Sequence, residues 1–120
     1  MTPPKVRLSD FHLSENTYSW GDRSYRVKDL IKASKDLDQF DLPLSGINLG
    51  VSPWGQLSAQ SFCSHMKRVS EADMSYPVIL DCEGYVCDGW HRICKAILHG
   101  AATIKAVRLE VMPEPINKDA

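Results

Sequence analysis

Tyr76-Pro-Val-Ile-Leu-Asp-Cys-Glu-Gly-Tyr-Val-Cys-Asp-Gly-Trp-His-Arg92 is the stretch that decides the fold. Val78, Ile79 and Leu80 make a short uninterrupted apolar run, so Tyr76 to Cys82 reads as a strand. Glu83-Gly84 reads as a tight turn, because glycine adopts positive φ without steric penalty, and Tyr85 to Cys87 returns as the second strand of a hairpin. Asp88-Gly89 ends that strand. Asp88 is a residue type that favours a helix N-cap, and Ile93, Ala96 and Ile97 supply the buried face of a helix closed by Gly100. A helix therefore starts directly after a strand, at Asp88-Gly89-Trp90-His91-Arg92.

Working outward, Thr103 to Val111 reads as a final strand whose apolar phase changes: Ile104 and Ala106 are even-numbered, whereas Val107, Leu109 and Val111 are odd. A bulge between Ala106 and Val107 is expected. Upstream, Ser58 as N-cap with Phe62, Met66 and Val69 on one face predicts a helix to about Ala72. His65 and Arg68 lie on its other side, either as ligand contacts or as exposed polar residues. Leu44 to Val51 mixes Ile47, Leu49 and Val51 with small residues and suits a short strand, followed by a loop through Pro53, Trp54 and Gly55. From Ser24 to about Leu37, the positions Val27, Leu30, Ile31, Ser34 and Leu37 mark one face of an amphipathic helix. Lys28, Lys32 and Lys35 line another face, diluted by Asp29, Asp36 and Asp38. These elements predict an α/β (α+β) domain: a small mixed β-sheet with about three helices.

The chain has 120 residues, 43% of them hydrophobic, enough for one domain with one modest core. That domain is expected over residues 10–112, with loose ends at 1–9 and 113–120 where Pro, charge and small residues dominate. Fourteen Lys and Arg balance 15 Asp and Glu, giving a net charge of -1, so bulk positive charge cannot hold nucleic acid. Any anion must be met by a local patch. Cys63, Cys82, Cys87 and Cys94 are sparse and unevenly spaced, as free thiols are, and no apolar run approaches the roughly 20 residues of a membrane span. With no secretory leader at Met1 to Asp10, a cytoplasmic protein is expected.

The strand-to-helix junction is where chemistry concentrates. The first amides of a helix lack intrahelical partners, and the positive end of the helix dipole favours an anion. Gly89 lets a ligand approach the backbone closely, and His91 and Arg92 add side-chain donors, Arg as a bidentate fork. A phosphate or nucleotide cradle is the physical reading. Trp90 is open to two roles, stacking on a base or filling the core. The plain alternative is that Asp88 caps the helix, His91 bonds back to it, and Arg92 pairs with Asp81 or Glu83. His12, His65 and His99 lack partners at metal-ligand spacing, and Cys94 with His99, or Cys63 with His65, are isolated pairs, so no metal site is expected.

The same residues, Tyr76 to Arg92 followed by Ala96, Gly100 and a strand, resemble the ParB/sulfiredoxin-like (ParB N-terminal-like nuclease) domain family over about Leu44 to Val111. The resemblance implies a stand-alone member that binds nucleotide phosphates at this turn. Sulfiredoxins hold their catalytic Cys where this chain has Trp90, which takes sulfinic acid reduction off the expected activities. The Arg pair of ParB proteins is His91-Arg92 here, and the Glu that serine kinases of the fold use after the first strand has no counterpart in Ile47 to Gln56. Three functions stay open. The first is nucleotide binding, with phosphotransfer or nucleotide hydrolysis: Asp81, Asp88 and His91 are the candidate catalytic groups, Gly89, Trp90, His91 and Arg92 the candidate cofactor-binding groups, and ATP, ADP or CTP with Mg²⁺ the candidate cofactors. The second is a DNA-binding or nuclease module that uses the Lys stripe. The third is a non-catalytic interaction protein of phage or plasmid type, working through the first helix or the surfaces near Trp20 and Trp54.

Overall fold

In the computed structural model, which describes residues 2–8 and 16–117, the fold is a mixed α+β arrangement. Strands β1 (Thr17–Trp20) and β2 (Arg23–Arg26) form an antiparallel hairpin, and α1 (Val27–Ser34) follows at once. Next come β3 (Phe40–Pro43), a single 3-10 turn at Leu44–Gly46, a long loop, and α2 (Ala59–Glu71). The chain then runs through β4 (Val78–Leu80), β5 (Val86–Asp88), α3 (Trp90–Leu98) and β6 (Thr103–Arg108). The main sheet has the order β3-β6-β4-β5, parallel only between β4 and β6. Among the described residues no helix is long and apolar enough to cross a membrane, and the four cysteines are free thiols.

The core lies on both faces of this sheet. Tyr25, Val27, Leu30, Ile79, Cys87, Val107 and Leu109 pack on one face, and Leu44, Val78, Leu80, Ile93, Ala96, Ile104 and Ala106 on the other. The expected bulge in the last strand is absent for that reason. Pairing runs unbroken from Val78↔Ala106 to Leu80↔Arg108, and the even and odd apolar residues of β6 simply serve opposite faces. The register shift falls between Ile79 and Leu80 in the β4–β5 pair instead.

Two other boundaries move. Ser24 to Arg26 belong to β2, so the first helix begins at Val27. The strand expected at Leu44 to Val51 lies earlier, at Phe40–Pro43, where β3 forms an edge on β6 and pairs Leu42 with Ile104. Leu44 instead plugs the core from the 3-10 turn. The helix from Ser58 is as expected, with the Ser58 hydroxyl accepting from Ser61 N at 3.1 Å. Its Phe62, however, is exposed. Lys95 Nζ holds the far end of α2 by donating to Ser70 O and Ala72 O, so only Val69 is buried and Phe62 sits beyond the anchored end. On α3, Ile93 and Ala96 are buried while Ile97 is exposed, and Gly100 (φ +72) closes the helix with Gly100 N to Ile97 O and Ala101 N to Ala96 O.

The ends of the chain are tied in where they are described. Gln60 donates to Arg7 O, Ile116 N to Ser24 O, and the Asn117 amide bonds both Ser24 N and Asp22 O, so the segment expected as a loose tail from Pro113 is held on the β1–β2 hairpin through Asn117. The expected domain start at residue 10 lies outside the described residues.

Asp81 carries the link between the hairpin and the sheet. It is fully buried at the end of β4; Oδ1 accepts from Glu83 N and Tyr85 N at 2.9 Å each, and Oδ2 from the Tyr18 hydroxyl at 2.6 Å. Burial and the Asp81 hydrogen bond push the Tyr18 phenol well above its ordinary pKa, so it stays a donor throughout the physiological range. Replacing Asp81 with Ala leaves three donors short of an acceptor, and urea unfolding will show a loss of about 3 kcal/mol or more. Tyr18→Phe, which removes one of the three bonds, will cost about 1–2 kcal/mol in the same measurement.

Candidate functional site

The β5-to-α3 junction is made by one glycine. Gly89 has φ +116, and a Cβ placed on it would come within 3.0 Å of Val78 Cγ2, 3.2 Å of Val78 Cα and 3.1 Å of Arg92 Nη2. Only glycine fits a left-handed conformation against the backbone of a neighbouring strand. The N-cap is therefore Gly89 and not Asp88, and no side chain caps the helix. The first intrahelical bond is Ile93 N to Gly89 O, which leaves the amides of Trp90, His91 and Arg92 ahead of the ladder, with no acidic residue in the first turn.

Beside this junction a cleft of about 770 Å³ opens between α3, the end of α2 and α1. Asp88, Gly89, His91 and Arg92 form its α3 wall. Lys35 and Arg68 add positive charge, and Glu71 and Asp73 negative charge, while Ile31, Leu37, Pro77, Ile79 and Val107 supply an apolar wall. Asp88 Oδ2 accepts from Arg92 Nη2 at 2.8 Å, so the plain expectation that Arg92 pairs with Asp81 or Glu83 gives way to a pair one helical turn apart. Burial raises the Asp88 carboxyl above its ordinary pKa, and Arg92 opposes that shift.

His91 does not bond back to Asp88. Its Nε2 lies 2.9 Å from Nδ1 of His65 on α2. The two imidazole centroids are 5.2 Å apart at 18°, which with a 2.9 Å N···N contact means that the rings pair edge to edge in nearly one plane. Trp54, from the loop before α2, lies flat over both, 4.4 Å from the His65 centroid and 4.7 Å from that of His91, at 16° and 13°. Burial lowers both imidazoles below the ordinary histidine value, and Arg68 adds to this. His91 falls to about 4, with His65 and Arg92 contributing as well.

No family model, no curated protein and no solved structure matches this chain.

The site is thus described from its own residues. Of the residues expected to act, Asp88, Gly89, His91 and Arg92 meet in the cleft wall. Two stand elsewhere. Asp81 is enclosed and spends both oxygens on Tyr18, Glu83 N and Tyr85 N, which removes it as a base or as a neighbour of a metal-bound phosphate. Trp90 is half-buried, packs against the core cluster of Leu44 and Ile93, and is no part of the cleft lining. Among the described residues no three His, Cys, Asp or Glu side chains gather at metal-binding distance. From the sequence Trp54 is expected only as a loop residue or part of an interaction surface, and His65 and Arg68 stand between two roles; the structure places Trp54 over both imidazoles, His65 against His91 and Arg68 in the cleft.

Gly89→Ala combines a positive φ with a backbone clash and will lower stability by about 2 kcal/mol or more in thermal or urea unfolding. The His91 ring yields a pH prediction. Its folded-state pKa of about 4 lies below the ordinary 6.5, so the unfolded chain binds the extra proton across that interval and stability falls as pH drops from about 6.5 towards 4. The loss is on the order of 1 kcal/mol once solvent screening of a half-buried ring is allowed for. Comparing unfolding curves of wild type and His91→Phe across that range will show a flatter profile in the variant.

Proposed function

We propose that the chain is a ParB/sulfiredoxin-like domain that binds a nucleotide through its phosphates at the start of α3. The observation that carries this reading is the 770 Å³ cleft, whose volume lies in the range of small-molecule sites and whose lining divides into polar and apolar walls. The uncapped amides of α3, Gly89 and the Arg92 guanidinium offer phosphate contacts on one side, with Lys35 and Arg68 as further positive charge. Ile31, Leu37 and Val107 offer apolar surface to a base. ATP, ADP or CTP with Mg²⁺ are the ligands of this reading, and phosphotransfer or nucleotide hydrolysis is the chemistry it accommodates, with His91 as the titratable group in the wall. Four unpaired thiols support a reducing compartment, and the cytoplasm is where we place the protein.

Isothermal titration with ADP, ATP and CTP, each with Mg²⁺, tests the reading. Saturable binding below millimolar ligand is expected. Arg92→Lys keeps the charge but loses the guanidinium fork and will weaken that binding by roughly tenfold, or about 1.4 kcal/mol. Absence of binding by wild type at millimolar nucleotide, or affinity unchanged from wild type in Arg92→Ala, overturns it.

A further inference from the structure

The paired imidazoles are not accounted for by packing alone. Two half-buried histidines from different helices meet nitrogen to nitrogen, and one of them forms part of the cleft wall. We propose that His65 is a positioning residue for His91, and that the two act as one proton-accepting unit that takes up a proton when a dianionic phosphoryl group enters the cleft. The proposal rests on the reading of the cleft as a phosphate site.

The geometry supplies the argument. In a bond between His65 Nδ1 and His91 Nε2 one ring donates and the other accepts, so Nδ1 of His91 is the nitrogen left for a ligand, and the tautomer of each ring fixes that of the other. When a proton is added to the outer nitrogen of the donating partner, the N–H···N bond survives and becomes charge-assisted. A single proton therefore fits the pair without breaking it. The indole of Trp54, flat over both rings, presents the negative face of its π-system to the resulting cation.

In the empty cleft the charges facing the pair oppose that proton. Arg68 stands on α2 and Arg92 on α3, both of which depress His91, with Lys35 beyond α1 as a further cation in the lining. Of the acidic groups, Asp88 on β5 is engaged by Arg92, and Glu71 and Asp73 lie at the end of α2. A dianion seated beside His91 reverses the balance, because it offsets the two guanidinium groups and accepts from the Nδ1–H. By linkage, a ligand that raises the proton affinity of the pair must itself bind more tightly as pH falls.

The test uses inorganic sulfate, dianionic at every pH employed, with ADP alongside, and reads the imidazole signals by NMR together with the sulfate dissociation constant between pH 7.5 and 5.5. In wild type, sulfate is expected to move the midpoint of both rings upward together, and the dissociation constant to fall by about tenfold over that range. His65→Phe should reduce the change to less than about twofold, and His65→Asn, whose amide can still accept from His91 Nε2, should retain most of it. Sulfate or ADP binding with no pH dependence, or a dependence unchanged in His65→Phe, overturns the role of the pair while leaving the cleft as a phosphate site. Failure of both probes to bind wild type overturns the cleft reading and the proposal together.

Discussion

The close approach of Gly89 to Val78 governs the candidate site. A Cβ at position 89 would meet the backbone of β4 at 3.2 Å, so the chain can turn from β5 into α3 at this point only with a glycine in the left-handed region. That turn sets α3 against the sheet through Ile93 and Ala96 and brings Gly89, His91 and Arg92 into the cleft wall. It also projects His91 towards α2 and Arg92 back over Asp88. The α3 wall of the candidate site is a consequence of that single backbone conformation.

Around it, two polar devices hold the layers in register. Asp81 fastens the β4–β5 turn to the β1–β2 hairpin through Tyr18, and Lys95 fastens the end of α2 to α3 through two carbonyls. The first closes one face of the sheet. The second brings α2 alongside α3, and so brings His65 to His91 under Trp54. Asp81 is thereby committed to architecture and Asp88 to Arg92, and the imidazole pair stands between α2 and α3 beside the cleft.

Local pattern made much of this legible. The apolar run at Val78 to Leu80, the glycine at 89 and the stripe of Ile93 and Ala96 specify strand, junction and helix through short-range sterics and periodicity, and the mixed α+β class follows. What pattern misread were cases decided by tertiary context. An Asp before a Gly looks like an N-cap, but the positive φ at Gly89 moves the cap by one residue. The alternation of Ile104, Ala106, Val107 and Leu109 looks like a slipped phase until both faces of β6 are seen to be covered. The edge strand Phe40–Pro43 is short and largely exposed, so its hydrophobic signal is weak. The pairing of Asp81 with Tyr18 and of His91 with His65 lies beyond local pattern, because the partners stand 63 and 26 residues away.

The central claim is that the cleft at Gly89 receives a phosphate. A crystal structure of the protein grown with saturating ADP addresses it most directly. A phosphate group is expected within hydrogen-bond distance of the His91 and Arg92 amides, with the base against Ile31, Leu37 or Val107. Nucleotide bound elsewhere on the molecule, or a cleft left without nucleotide at saturation, would contradict it.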